Sequence, residues 1–241
     1  MVNNILFILE GEKEKTIVKN LTKFFINENT VVTCVYCTTI YKMYSDIKND
    51  EYLDTFHLLK EIAKNKETLK DFKRSDFSQI FMFFDYDGHA SNASDKKLAE
   101  LLSFFNEETD KGKLYISYPM VEALKHFENI ESFKELKSNL KDFEKYKQTV
   151  NSNCLKCLID FNLYDESVWK FVIEIHLQKM NKIVHQKYQF PIALIDQITI
   201  FNKQLEKHII PNQNVEILSA FPVFLHDYYG NHGIEQRIKH I

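Results

Sequence analysis

Two apolar stretches that each end in acidic residues decide the fold of this chain. They are Ile5-Leu6-Phe7-Ile8-Leu9-Glu10-Gly11 and Ile80-Phe81-Met82-Phe83-Phe84-Asp85-Tyr86-Asp87-Gly88. A short apolar run that stops at a carboxylate and a glycine predicts a buried strand that ends at the edge of a sheet. Two such strands would bring Glu10, Asp85 and Asp87 to one edge. Hard divalent cations prefer carboxylate oxygens, so the pattern predicts a magnesium or manganese site.

The pattern around these stretches predicts an α/β domain over residues 1–128. Such alternation of strands and helices is typical of a mainly parallel sheet flanked by helices, with its polar site at the carboxyl ends of the strands. The segments that follow predict a mostly helical extension over residues 129–241. The predicted strands are 4–9, 31–37, 79–84, 114–117 and 215–218, and the predicted helices are 13–27, 54–69, 95–105, 120–127, 131–150, 166–186 and 192–209.

Composition and charge narrow the class of protein. The chain has 241 residues, of which 44% are hydrophobic, enough for a packed core. Its net charge of −3 does not by itself favour nucleic-acid binding. A lysine group in the extension could contact phosphates or form a solvated helix face: Lys170, Lys179, Lys182 and Lys187. We find no apolar run of membrane-spanning length and no signal peptide, and we therefore expect a cytoplasmic protein without membrane contact.

The residues next to the acids suggest phosphate chemistry. Gly11 and Gly88 directly follow the carboxylates, and glycine lets the backbone turn sharply and lets a phosphate approach closely. The helix that begins near Lys13 points its N-terminus at the same edge, which favours an anion. Two metal ions about 4 Å apart can stabilise both the attacking and the leaving oxygen in phosphoryl transfer.

The same residues resemble the motifs of Toprim domains. Glu10-Gly11-Glu12-Lys13-Glu14 resembles their E-G-x-x-[DE] motif, and Asp85-Tyr86-Asp87-Gly88 resembles their D-x-D motif. The segment from Pro119 to Glu122 resembles the P-x-x-E segment of the RloB-like group of anti-phage Toprim proteins. The resemblance covers roughly residues 1–128.

The resemblance implies a fold, a reaction and a set of site residues. Glu10 would be the general acid/base or a metal ligand, Asp85 and Asp87 would bind magnesium or manganese, and Glu122 would join the catalytic site. Gly11 and Gly88 would contact the bound group. The protein would be a metal-dependent nuclease that acts on RNA or DNA, with a role in anti-phage defence. A partner ATPase or another defence protein would control it, as in some Toprim nucleases.

Two alternatives stay open. Glu14 stands where aspartate is commoner, and the D-x-D-x-x-G form of several Toprim enzymes is absent after Asp87. These departures leave room for a non-catalytic Toprim-like module that binds a partner or nucleic acid. The other alternative is a haloacid-dehalogenase-type phosphatase, in which Asp85 would be the nucleophile, Asp87 the acid/base and Ser117 part of a second motif.

Several further residues received sequence-based interpretations. His89 could contact a phosphate, and His126 lies four residues after Glu122, on the same face of the predicted helix. We expect His176 and His185 on a solvated helix face, and Trp169 in the core. The two C-x-x-C pairs, at Cys34/Cys37 and Cys154/Cys157, could form a four-cysteine zinc site, although reduced, buried thiols are the better interpretation.

Overall fold

The computed structural model describes residues 4–26, 31–35, 40–49, 54–86 and 94–239, and these form two compact units. Unit 1 comprises the described residues of 1–84 and 90–114, and unit 2 comprises those of 85–89 and 115–241. The sequence-based boundary at residue 128 is not one of these division points and stays a prediction. Among the described helices, none combines the length and apolar character needed to cross a membrane.

A five-stranded sheet organises the first part of the chain, with the strand order β2-β1-β3-β5-β4. Strand β1 pairs in parallel with both β2 and β3, whereas β4 and β5 are antiparallel. The last three residues of β5 belong to unit 2. The strands are β1 (Asn4–Leu9), β2 (Val31–Val35), β3 (Phe77–Asp85), β4 (Asn106–Glu107) and β5 (Gly112–Ser117).

Helices of unit 1 connect and flank these strands. The segment predicted as one helix over 54–69 is interrupted at Ile62, whose backbone is extended (φ −72°, ψ 122°). A 3-10 turn at Ala63–Asn65 follows the interruption, so two short helices replace the long one. The helices are α1 (Glu12–Phe25), α2 (Ile40–Asn49), α3 (Thr55–Glu61), α4 (Lys66–Leu69) and α5 (Asp95–Phe104).

Strand β1 lies at the centre of the unit 1 core, as its apolar run predicts. Its residues Ile5–Leu9 have no solvent-exposed side-chain surface, and the Phe7 ring lies 5.6–5.8 Å from the rings of Phe81 and Phe83. A strand buried on both faces reads as a continuous apolar run, which is why the sequence locates it correctly. The cap predicted for α5 is also confirmed, since Ser94 Oγ accepts a hydrogen bond from the Lys97 amide at 3.2 Å.

Unit 2 is mostly helical. Its strands β6 and β7 form a two-stranded antiparallel sheet. Trp169 lies in the core with no exposed surface, as predicted. The last helix is interrupted at Gly230, whose φ of +70° favours glycine. The elements are α6 (Ile130–Glu135), β6 (Lys137–Asn139), α7 (Phe143–Asn153), α8 (Glu166–His185), α9 (Gln197–Gln204), α10 (Ile210–Asn212), β7 (Asn214–Glu216) and α11 (Ala220–Lys239).

The predictions for the extension need three corrections. The single helix predicted over 131–150 is instead α6, strand β6 and α7. The helix predicted from 192 begins only at Gln197, and its last turn is the π-helix Leu205–Ile209. His176, expected on a solvated face, is completely buried, and its Nδ1 accepts a hydrogen bond from the Ser219 amide at 3.2 Å.

A buried ion pair joins several elements of unit 2. Lys179, expected in a solvated or phosphate-binding group, has no exposed surface and pairs with Glu216 of β7, which is 3% exposed. Its Nζ also donates to the backbone carbonyls of Phe133, Lys134 and Leu136 at 2.9–3.1 Å. Burial lowers the pKa of Lys179 to about 8, while Glu216 acts in the opposite direction. The ammonium form therefore prevails at neutral pH.

Replacing Lys179 with methionine should destabilise unit 2 strongly. The substitution removes a donor from three carbonyls and leaves Glu216 buried with fewer cations, and breaking a buried pair in this way costs roughly 3–5 kcal/mol. Urea unfolding followed by the fluorescence of Trp169 measures the change. The control is Lys170→Met on the same helix, since Lys170 pairs with the largely exposed Glu166 and should cost about 1 kcal/mol or less. Equal losses in both variants would contradict the assigned role of Lys179.

Candidate functional site

The first predicted acid, Glu10, follows β1 in unit 1. It is half-buried, and its amide donates to the Phe83 carbonyl at 3.3 Å, which continues the pairing of β1 with β3. The chain bends at Glu10 and Gly11 before α1, and Gly11 has an extended backbone (φ −146°) that does not itself require glycine. The Glu14 carboxylate accepts a hydrogen bond from the Gly11 amide at 3.1 Å. Glu14 therefore has a structural role at the start of α1.

The second acidic stretch ends β3. Asp85 is the last residue of this strand and is half-buried. The next residue, Tyr86, is buried, and its amide donates to the Ser117 carbonyl at the end of β5 at 2.9 Å. Asp87, Gly88 and His89 lie outside the described residues, so their predicted roles stay predictions.

Glu122 lies in a short 3-10 helix, Val121–Lys125, in place of the longer helix predicted over 120–127. Its side chain is 1% exposed. Tyr118, ahead of this helix, exchanges two backbone hydrogen bonds with Leu218 at 2.8 and 3.0 Å, which anchors the segment within unit 2. Glu122 is therefore a buried carboxylate close behind an anchored strand end.

Tyr146 of α7 lies near two of the predicted site acids, Glu122 and Asp85. Burial raises the pKa of Tyr146 well above its ordinary value, and the negative charges of Glu122 and then Asp85 raise it further. Both carboxylates therefore lie within electrostatic range of one phenol. The sequence reasoning missed Tyr146, because Phe143, Tyr146 and Val150 have the spacing of an ordinary core stripe on a helix.

His126 is the partner of this phenol. Its Nδ1 lies 3.0 Å from the Tyr146 hydroxyl oxygen, and the two rings meet edge to face. Burial lowers the pKa of His126 to about 4, so the ring is neutral at pH 7. The predicted helix-face relation to Glu122 is wrong, since residues four apart do not share a face in a 3-10 helix. His126 nevertheless belongs to the same cluster through Tyr146.

The described part of the site has the donor type for a hard cation. Asp85 and Glu122 supply carboxylate oxygens, which Mg²⁺ binds while it keeps several waters. No group of three or more His, Cys, Asp or Glu side chains that could hold a metal occurs among the described residues, a set that does not include Asp87. The magnesium site therefore stays a prediction. The carboxylates of Asp85 and Glu122 are of the ligand type that it requires.

The other sequence candidates lie elsewhere. Both thiols of the second pair are free, but the expected burial is wrong for Cys157, which is exposed, and Cys154 is only partly buried. Cys37 lies outside the described residues, and Cys34 is described in its backbone alone. The Ser117 hydroxyl, assigned to a second motif in the phosphatase alternative, is 3% exposed and accepts a hydrogen bond from the Ala220 amide at 3.3 Å.

Comparison with known proteins adds no assignment. No protein-family model, no curated protein and no solved structure matches this chain. The Toprim resemblance is therefore carried by the motifs of this sequence alone.

Removing the Tyr146 hydroxyl should cost stability because of its buried partner. In Tyr146→Phe, His126 Nδ1 loses its hydrogen bond, and a buried polar group left without a partner costs about 1–3 kcal/mol. Urea unfolding at pH 7 measures the difference. Tyr188→Phe is the matched control, since the Tyr188 hydroxyl has no hydrogen-bond partner among the described residues. A larger loss for Tyr188→Phe than for Tyr146→Phe would contradict the pairing of Tyr146 with His126.

Proposed function

We propose that this chain is a magnesium- or manganese-dependent nuclease with a Toprim-like fold, which hydrolyses phosphodiester bonds of RNA or DNA. The observation that carries the proposal is that Glu122 and Asp85 both lie near the buried Tyr146, where their charges raise the pKa of its phenol. It connects the D-x-D stretch with the P-x-x-E segment, two motifs that lie far apart in the sequence. The order of the motifs and the position of Asp85 at a strand end support the same proposal.

In the proposed mechanism, Asp85, Asp87 and Glu122 would hold the cation, and Glu10 would act as the general acid/base or as a further ligand. Bound magnesium would polarise the phosphoryl oxygens and activate a water molecule. Tyr146 keeps its proton at neutral pH because burial and the two carboxylates raise its pKa. The neutral phenol keeps its hydrogen bond with His126 and adds no charge to the site.

His126 positions the phenol in this scheme. Its Nδ1 lies 3.0 Å from the Tyr146 hydroxyl oxygen, so the hydrogen bond between them holds the phenol in place. Because burial lowers the pKa of His126 to about 4, this partner of the phenol is neutral at pH 7.

The resemblance extends the proposal to a biological setting. We place the activity in anti-phage defence inside the cell, controlled by a partner ATPase or another defence protein. The alternative is a non-catalytic module that binds nucleic acid or a partner. It would have the same acidic residues but would not cleave nucleic acid.

Metal binding should depend on the acids of unit 2. Titration calorimetry with Mn²⁺ should show binding to the unmodified chain and a loss of affinity in Asp85→Asn and in Glu122→Gln, because each variant removes an anionic ligand. The control Glu107→Gln changes an exposed acid on β4 and should bind as the unmodified chain does. Undiminished binding by both site variants would contradict the assignment of these ligands.

Cleavage should require the two acids at the strand ends. The double variant Glu10→Ala/Asp85→Ala should lose all metal-dependent cleavage of labelled RNA and DNA, because it removes the proposed acid/base and a metal ligand. Gel analysis of products with Mg²⁺ or Mn²⁺, and with EDTA as a blank, measures the activity. Unchanged cleavage by the purified, folded double variant would refute the proposed nuclease, and an unmodified chain that binds metal without cutting would favour the non-catalytic module.

A further inference from the structure

A small cavity in unit 2 is lined by Tyr146, whose phenol lies within electrostatic range of Asp85 and Glu122. Its volume is about 200 Å³, and its wall includes His126 and Tyr146 together with residues of β6, of α7 and of the turn between them. A single water needs only about 10–15 Å³ of such volume, so the cavity has room for a phosphate group with several waters. Tyr146 lines the cavity, and the charges of Glu122 and Asp85 raise the pKa of its phenol. The same residue therefore belongs to both the cavity and the candidate site.

The charge of the wall favours an anion. Lys137 and Lys145 line the cavity, against one acid, Asp142. Lys137 also lies 3.7 Å from the carboxylate of Glu216, which takes up part of its charge. Lys145 is exposed on α7, and its ammonium group is the stronger candidate for binding a ligand.

The remaining wall supplies neutral hydrogen-bond donors. Asn139 uses its side-chain oxygen to accept a hydrogen bond from the Lys141 amide at 3.0 Å, which leaves the side-chain NH₂ as its donor. The hydroxyls of Ser138 and Thr149 also line the cavity. When the Tyr146 phenol donates to His126 Nδ1, the neutral imidazole carries its hydrogen on Nε2 and adds another donor. Oxygen atoms of a phosphate are acceptors that match this wall.

We propose that this cavity binds a backbone phosphate of the nucleic acid next to the bond that is cut, with Lys145 as its main cationic contact and with Lys137, Asn139 and Ser138 as further partners. The identity of the ligand as a nucleic acid rests on the proposed function. Lysine provides a point charge for phosphate oxygens, and such contacts position the backbone without reading its sequence. The cavity therefore contributes affinity and register, whereas the acids carry out the cleavage.

The experiment measures binding of short fluorescent single-stranded RNA and DNA by anisotropy in EDTA, so that no cleavage occurs. Lys145→Ala should weaken binding roughly tenfold, as expected for a hydrogen bond to a charged group. The slope of log affinity against log salt concentration should fall in magnitude by about one, because one phosphate contact is lost. The matched control is Lys147→Ala, two residues along the same helix, exposed and outside the cavity wall. Inorganic phosphate should compete with the oligonucleotide more weakly in Lys145→Ala than in the unmodified chain.

The outcomes separate this inference from the proposed nuclease. Equal binding by Lys145→Ala and the unmodified chain would overturn the phosphate site, while metal-dependent cleavage would leave the nuclease standing. Absence of all oligonucleotide binding by the unmodified chain would also overturn it. Selective loss of binding in Lys145→Ala, without any cleavage by the unmodified chain, would support the cavity and refute the nuclease.

Discussion

The ammonium group of Lys179 determines where the elements around the candidate site lie in unit 2. A helix ends with carbonyls that lack partners in its own backbone, and Lys179 Nζ satisfies carbonyls at the end of α6 and just beyond it. The same group pairs with Glu216 at the end of β7. Since β7 pairs with β6, the ion pair also fixes the strand that supplies Lys137, Ser138 and Asn139 to the cavity. Lys179, which the sequence places in a group that could form a solvated helix face, is thus a buried residue that connects α8 with α6 and β7.

The elements that the sequence predicts well are those whose signal is local and strong. Strand β1 is an uninterrupted apolar run, and α5 begins at a serine cap before a leucine stripe, so both were correctly predicted. Strand β6 contains Lys137, Ser138 and Asn139, which have no strand preference, and it forms only because β7 pairs with it. The burial of His176 and Lys179 on α8 also depends on tertiary packing, which the helical period alone does not reveal.

Some residues of the candidate site can be predicted from the sequence, and others are revealed only by the structure. Glu10, Asp85 and Asp87 are visible in the sequence because each follows an apolar strand, and Glu122 is visible through the P-x-x-E resemblance. The described structure adds Tyr146 and gives His126 a definite partner. A tyrosine in a lysine-rich helix, 24 residues after Glu122, carries no sequence signal for a site, because its distance from the acids is set by the fold of unit 2.

In the proposed nuclease, Tyr146 and His126 would keep the acids apart from the lysines that contact the substrate. A lysine that met Asp85 or Glu122 directly would pair with it, and the carboxylate would then bind a metal ion less well. Tyr146 is shared between the cavity and the acids, and both it and His126 are neutral at pH 7, since burial raises the pKa of the phenol and lowers that of the imidazole. A neutral, hydrogen-bonded pair therefore lets cationic and anionic groups occur in neighbouring environments without neutralising each other. In the proposed nuclease, that separation allows one phosphate to contact lysine while the acids hold the cation at the bond that is cut.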